Sequence, residues 1–422
     1  MKYVRWDIPD KGPEIPPELL RAGCTPLLAA LLAGRGMSAP GEAARFLNAG
    51  EEELCDPMLL PDMPQAAARL RLAIGRGERV AVFGDYDVDG ITSACMMTLY
   101  LRSKGLKCEP YIPDRLEEGY GLNMAAIDTL AAHGAQLIVT VDCGITAREE
   151  ARHAKELGID MIITDHHECG SGSLPEAVAV VDPKRPDSAY PNPGLAGVGV
   201  AFKLLCAVEG AAGKVLDEYA DLIAAGTVAD VMPLTGENRY IVRRGLKMLE
   251  NPARAGIRAL LNECGASGRR LNAATIGFTL APRLNAAGRL GRTDSAVRLL
   301  LTSDEEDASN CAAELCQLNR HRQELEQEIW EEAHEMLRRS PPSGPIVLAS
   351  ERWHQGVIGI AASRLAEEFA LPTVMICLNG EQGKGSCRSY GGFNLFDALS
   401  ACSDCLVGFG GHALAGGLSI KR

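Results

Sequence analysis

The chain has 422 residues, 46% hydrophobic and 23% charged, a composition that predicts two or three cored domains. Its formal net charge of −12 argues against non-specific, whole-surface nucleic-acid binding but leaves room for a local basic groove. No signal-peptide-like stretch and no run of about 18 apolar residues occurs, and the fourteen cysteines are scattered through apolar segments. The expectation is a cytoplasmic protein with reduced thiols and no membrane partner.

Residues 1–78 read as helical and irregular, with helical patches at 27–32, 43–47 and 66–74, and are expected to pack against the domain that follows. From Val80, apolar runs predict strands at 80–83, 108–112, 137–141, 161–164 and 178–181. Helices are predicted at 91–104, 123–133 and 146–157. Such alternation predicts an α/β fold with a mostly parallel sheet. Asp85 and Asp87 follow the first strand, Asp142 the third, Asp165-His166-His167 the fourth and Asp182 the fifth. Crevices in open parallel sheets lie beyond the carboxyl ends of strands, so acids and imidazoles gather at one edge.

The segment 195–260 reads as helical, with Gly226-Thr-Val-Ala-Asp230 closing a helix from Tyr219. A basic window follows, with six arginines (269, 270, 283, 289, 292, 298) against one acid, Asp294, between Ala266 and Leu300. Ser303 with Glu306 reads as a capping box opening a connector helix to Arg339, free of Gly and Pro and roughly 50 Å long. After the 341–344 boundary comes a second αβ unit: strands 346–349, 373–378 and 384–389, with helices 357–369 and 395–402. It ends in the glycine-rich run 408–417 and the start of a strand. The domain expectation is therefore 1–78, 79–302, 303–340 and 341–422.

Gly84-Asp85-Tyr86-Asp87-Val88-Asp89-Gly90 puts three carboxylates within five residues on the turn after a strand. Taken alone, this turn reads equally well as a solvated loop. Beside Asp142, His166 and Asp230 it fits a pair of divalent cations with one bridging carboxylate. Oxygen-rich ligands favour Mn²⁺ or Mg²⁺ over structural Zn²⁺. Such a pair can activate water and stabilise a leaving oxygen in phosphoester cleavage. Adjacent histidines after a strand point apart, so one suits a metal and the other a phosphate. Gly380–Lys384 lacks P-loop spacing, Cys402-x-x-Cys405 has no second pair at zinc spacing, and no G-x-S-x-G elbow occurs.

The ordered series GDYDVDG (84–90), VDCG (141–144), DHH (165–167), GTVADVMPL (226–234), APRLNAAGRLG (281–291), WHQGVIGIAASRL (353–365), GSCRS (385–389) and GGHALAGG (410–417) resembles the DHH/DHHA1 phosphoesterase superfamily. Within it, the chain resembles the RecJ-like single-stranded-DNA-specific exonucleases, from about residue 50 to the end. The resemblance implies a DHH catalytic domain joined by a long helix to a smaller αβ DHHA1-type domain, incomplete here, with an OB-type domain usually following. It implies Asp85, Asp87, Asp142, His166 and Asp230 as metal ligands, with Asp142 bridging. His167 would contact the scissile phosphate and Asp165 would orient an imidazole. Asp89 is left as a support behind the ligands or a helix cap.

The resemblance implies that Arg388 and Ser386 hold a substrate phosphate, that of the 5′ end, and that Arg115 matches another arginine near it. Arg283 and Arg289 would line the groove, and Gly411 and His412 would meet a phosphate through backbone N–H and imidazole. Trp353 and His354 are candidates for base stacking, with core packing favoured for Trp353. The superfamily often has a histidine ahead of the first acids, where this chain has Ala81, Val82 and Phe83, which blurs one metal's ligand shell. The implied reaction is 5′→3′ hydrolysis of single-stranded DNA to 5′-mononucleotides in repair and recombination, with duplex excluded by groove width. A single-strand-binding protein and a helicase are the protein partners the resemblance suggests. The alternatives are a DHH phosphodiesterase for short RNA or cyclic dinucleotides, whose members tend to lack the 195–300 insertion, and an inactive replication-associated scaffold, which the intact ligand set disfavours.

Overall fold

The computed structural model describes residues 14–115, 118–119, 121–170 and 172–422. Three short helices, α1 (Pro17–Arg21), α2 (Pro26–Ala33) and α3 (Pro40–Asn48), each begin at a proline, whose fixed φ and missing N–H suit a first helical position. They share a small core of Leu19, Ala29, Leu32 and Ala43. Helix α4 (Met63–Arg76) instead buries Met63, Ala66, Leu70 and Ala73 in the main core of the next domain.

That domain is built on β1 (Val80–Phe83), α5 (Val88–Ser103), β2 (Cys108–Tyr111), α6 (Met124–Ala132), β3 (Leu137–Val141), α7 (Arg148–Glu156), β4 (Asp160–Thr164) and β5 (Ala179–Val181). The five strands form one parallel sheet in the order β2-β1-β3-β4-β5. Both faces are covered, so β1 is apolar throughout, β3 is apolar but for Thr140, and both are buried along their whole length. The chain leaves β1 for β2 on one side and returns to β3 on the other. A crevice therefore opens between the carboxyl ends of β1 and β3.

Helices α8 (Gly197–Glu209), α9 (Ala212–Ala229), α10 (Gly236–Glu250) and α11 (Ala255–Glu263) follow. After α12 (Ala273–Thr275) and a π-helical turn (Ile276–Leu280) come α13 (Ala281–Arg289), α14 (Thr293–Leu301) and α15 (Glu305–Arg339). Helix α9 starts seven residues before the expected Tyr219. The cap of α15 is Asp304, whose carboxylate accepts from Asp307 N at 2.7 Å, not Ser303. One end of α15 buries Ala308, Cys311 and Leu315 in the first core. The other buries Ile329, Ala333 and Leu337 in the next, so the helix spans two cores.

The second unit comprises β6 (Ile346–Ser350), α16 (Ile358–Phe369), β7 (Thr373–Asn379), β8 (Gln382–Arg388), α17 (Leu395–Ala401), β9 (Leu406–Gly411) and β10 (Ala415–Lys421). Its sheet runs β6-β7-β8-β10-β9 and is antiparallel except for β6/β7. The glycine-rich run, expected as a phosphate loop, is largely the β9–β10 hairpin. Glycine removes the side-chain alternation by which a strand is recognised, so its pattern hides a sheet.

A buried ion pair ties the segment before α4 to the helices. Lys203 Nζ lies 2.6 Å from Glu237 Oε2 and donates to the Cys55 carbonyl at 2.8 Å. Glu237 also accepts from Cys55 N, Tyr190 OH and Asn192 Nδ2. Replacing Lys203 by Met strands the carboxylate and should cost about 3–5 kcal/mol in urea unfolding. A loss below about 1 kcal/mol would show that the pair is not a clamp.

Candidate metal centre and substrate cleft

Asp85 and Asp87 leave β1 on the turn into α5, where Asp87 caps the helix by accepting from Gly90 N at 3.0 Å. A Cβ at Gly90 would collide with the Asp85 backbone, so the turn can close this tightly only with glycine. Asp142 follows β3 with φ +61°, a left-handed conformation that costs a non-glycine residue energy and recurs at functional sites. Its carboxylate faces the first residue of α8, Gly197, where a Cβ would overlap it. His166 and His167 follow β4, and Asp230 ends α9.

These side chains converge. Asp85, Asp87 and Asp142 offer ligand atoms within 4.8 Å of one another, as do Asp142, His166 and His167, and Asp89, His166 and Asp230. His166 Nε2 lies 3.1 Å from Asp142 Oδ1 and 3.5 Å from Asp230 Oδ2. The buried oxygens Asp85 Oδ1, Asp142 Oδ1 and Asp230 Oδ2 accept no hydrogen bond. Orphaned buried carboxylate oxygens are costly, and divalent cations are the partners that fit this oxygen-rich set. Asp142 and His166 each belong to two of the groups, a placement suited to a pair of ions.

The electrostatics agree with cation binding. Burial, then the Asp87 charge, pushes Asp85 up to about 8. Burial and neighbouring carboxylates also hold Asp142 and Asp89 well above the usual range. Burial, then His167, lowers His166 to about 4, leaving it neutral and able to ligate. For His167, burial opposes the charged form, but the Asp165 hydrogen bond and the Asp165, Asp230 and Asp85 charges outweigh it and raise it to about 9. Asp165 accepts His167 Nδ1 at 2.7 Å, as well as the Ile145, His166 and His167 amides. The imidazole that Asp165 orients is thus that of His167, held through Nδ1 and lining the cleft. Asp89 accepts from Gly197 N at 2.6 Å and Val198 N at 2.9 Å, so it caps α8, which starts 108 residues away. A helix cap was one of the two roles expected for Asp89, and tertiary packing decides which helix it caps.

Across a cleft of about 1050 Å³, Asp85, Asp87, His167 and Asp230 face Arg115, Arg289, Ser386, Arg388, Gly411 and His412. Arg388 donates to Ser363 Oγ at 3.0 Å and Ser386 Oγ at 3.1 Å. The N-terminus of α16 lies beside them, because a Cβ at Gly359 would crowd Ser386 and Arg388. A helix N-terminus with a guanidinium and a hydroxyl is an anion site. Burial, then the charges of Arg115, Arg322 and Arg388, lowers Arg289 to about 10.

The basic window does not form one groove. Arg292 pairs with Glu314 and Arg298 with Asp307 on α15. Arg283, expected in the groove, donates to Thr279 O at 2.6 Å and Cys316 Sγ at 3.3 Å and does not line the cleft. Successive arginines on α13 and α14 point around the helices, and only Arg289 reaches the cleft. Trp353 is buried, its indole N–H on Glu332 at 3.1 Å. Tyr86 and Asn285, not singled out in the sequence, also line the cleft. Asn285 Oδ1 accepts from Val88 N at 3.1 Å and ties α13 to the acidic turn.

A parallel-sheet crevice lined by acids and imidazoles, bridged by a long helix to a second domain that carries Ser386 and Arg388 into the same cleft, defines a metal-dependent phosphoesterase of the DHH type. The DHH family N-terminal domain matches residues 79–227 and the DHHA1 domain residues 344–422. The chain is 43% identical to the single-stranded-DNA-specific exonuclease RecJ of Bacillus subtilis, over 99% of this chain and 53% of that protein. It is 42% identical to RecJ of Dickeya dadantii, over 93% of this chain and 72% of the relative. The crystal structure of RecJ from Thermus thermophilus in complex with Mn²⁺ superposes with a TM-score of 0.82 at 34% identity, covering 96% of this chain and 57% of that one. The Mg²⁺ complex gives 0.75 at 32% identity, covering 96% and 55%. The chain belongs to the RecJ family, and spans about half the length of the Bacillus relative and about seven-tenths of the Dickeya one.

Proposed function

We propose that the chain hydrolyses single-stranded DNA from the 5′ end, releasing 5′-mononucleotides, with Mn²⁺ or Mg²⁺ held by Asp85, Asp87, Asp142, His166 and Asp230. One observation carries this reading: an acid–imidazole cluster and an arginine-rich anion site face each other across a single cleft. Bound there, the ions would supply an activated water and charge for the leaving oxygen. Protonated His167, held through Nδ1 by Asp165, presents Nε2 to the scissile phosphate. Arg388, Ser386, Arg115, Arg289 and the α16 N-terminus take the terminal phosphate, while Gly411 and His412 lie along the strand. Family membership supports a cytoplasmic setting, with a helicase and a single-strand-binding protein as proposed suppliers of the strand.

The test is a Mn²⁺-dependent assay on single strands labelled at either end. A 5′ label should leave first as mononucleotide. Release of the 3′ label first, or cleavage of dinucleotides alone, would overturn the reading. Arg388→Ala should lower the kcat/KM preference for 5′-phosphorylated over 5′-hydroxyl strands about tenfold or more, the value of a charge-assisted hydrogen bond. An unchanged ratio removes Arg388 from the end site.

A further inference from the structure

We infer that Tyr86 is a positioning residue that fixes the register between the terminal-phosphate site and the metal centre. This rests on the assignment of Arg115, Arg289, Ser386 and Arg388 to the terminal phosphate. Tyr86 lies between Asp85 and Asp87, on the turn that carries both acids. Its ring lies under the Arg115 guanidinium, 4.7 Å from carbon to centroid, a cation–π contact. Both residues line the cleft. Arg115 is close enough to Asp85, Arg289 and Arg388 to influence the ionisation of all three. One residue thus touches both halves of the site: its backbone continues the acidic turn and its ring carries an arginine of the anion site.

The packing around Tyr86 holds that link stiff. A Cβ at Gly288 would strike the Tyr86 carbonyl oxygen, and a Cβ at Gly356 would strike that of Arg289. The end of α13 is therefore wedged between the acidic turn and the second domain, with Arg289 Nη1 donating to Gly356 O at 3.2 Å. The contact with Arg115 is made by the ring of Tyr86. An exonuclease that removes single nucleotides needs a fixed distance between end phosphate and scissile phosphate, and the Tyr86–Arg115 stack spans the two sites.

The experiment measures kcat/KM on 5′-phosphorylated and 5′-hydroxyl strands, together with the length of the first product. Tyr86→Leu removes the face and should lower the phosphate preference about five- to thirtyfold, with dinucleotides appearing among first products. Tyr86→Phe keeps the face and should restore the parental ratio and mononucleotide release. Should Tyr86→Leu not fold, Tyr86→Met fills similar volume without a π face. Equal losses on both strands, or Tyr86→Phe behaving like Tyr86→Leu, overturn the inference. A parental preference removed by Arg388→Ala but untouched in Tyr86→Leu overturns it alone, whereas a parent without preference overturns the end-phosphate assignment and this inference together.

Discussion

Asparagine in place of Asp142 will leave a folded protein that binds single-stranded DNA but cleaves it at least about 10³-fold more slowly, a loss of the size seen when one preorganised electrostatic partner is removed. The position sits at the carboxyl end of β3 and contributes to two of the three ligand groups. Asparagine has the same shape, and it tolerates the left-handed conformation better than other non-glycine residues. Its size also respects the contact with Gly197, which has no space for a larger group. The change therefore isolates the charge. Alanine at the same φ of +61° would confound lost chemistry with backbone strain. Single-turnover cleavage in Mn²⁺, beside DNA binding in a chelator, separates the two functions. Cleavage within tenfold of the parent would refute a shared-ligand role for Asp142.

The sheet was legible because its strands are short, mostly apolar and, β2 apart, followed by Asp or Gly. Val80–Phe83 and Leu137–Val141 match the observed strands residue for residue. Once those strands are parallel, the acids that end them must share an edge, so the gathering of Asp85, Asp87, Asp142 and His166 could be read from order alone. What escaped depends on faces and distant partners. Six arginines in one window are a count, whereas a groove needs them on one side, and acids of α15 neutralise Arg292 and Arg298. Asp89 was expected as a support or a helix cap, but that the helix is α8 depends on partners more than a hundred residues away. At the start of α15, Ser303 and Asp304 are both good caps, and the structure uses the carboxylate. Tyr86 was hidden by its neighbours, because acids on either side drew the reading towards cations and away from the ring.

Removing divalent metal will destabilise the first domain far more at pH 8 than at pH 5.5. Burial and the Asp87 charge raise Asp85 to about 8, and burial with neighbouring carboxylates raises Asp142 and Asp89 well above the usual range. In the unfolded chain, aspartates ionise near about 3.9. Below that pH both states are protonated and the cluster costs nothing. As pH climbs towards the folded value, only the unfolded state releases its protons freely, so the metal-free fold loses stability across this window. His167, raised to about 9, acts in the same direction, since its contribution is whole below the unfolded value near 6.5 and lost as pH rises through about 9. His166, lowered to about 4, opposes them between about 6.5 and 4, where the unfolded imidazole takes a proton more readily. Metal bound at about a thousand times its Kd contributes about 4 kcal/mol, a shift of roughly 10 °C for a domain of this size. Thermal melts of chelator-treated protein with and without Mn²⁺ should show that shift at pH 8 and a much smaller one at pH 5.5, where protons compete for the same oxygens. Without metal, Asp142→Asn should melt above the parent at pH 8 and converge with it towards pH 5. Equal metal shifts at both pH values, or an Asp142→Asn variant no more stable than the parent at pH 8, would show that like-charge repulsion is not what the cations relieve.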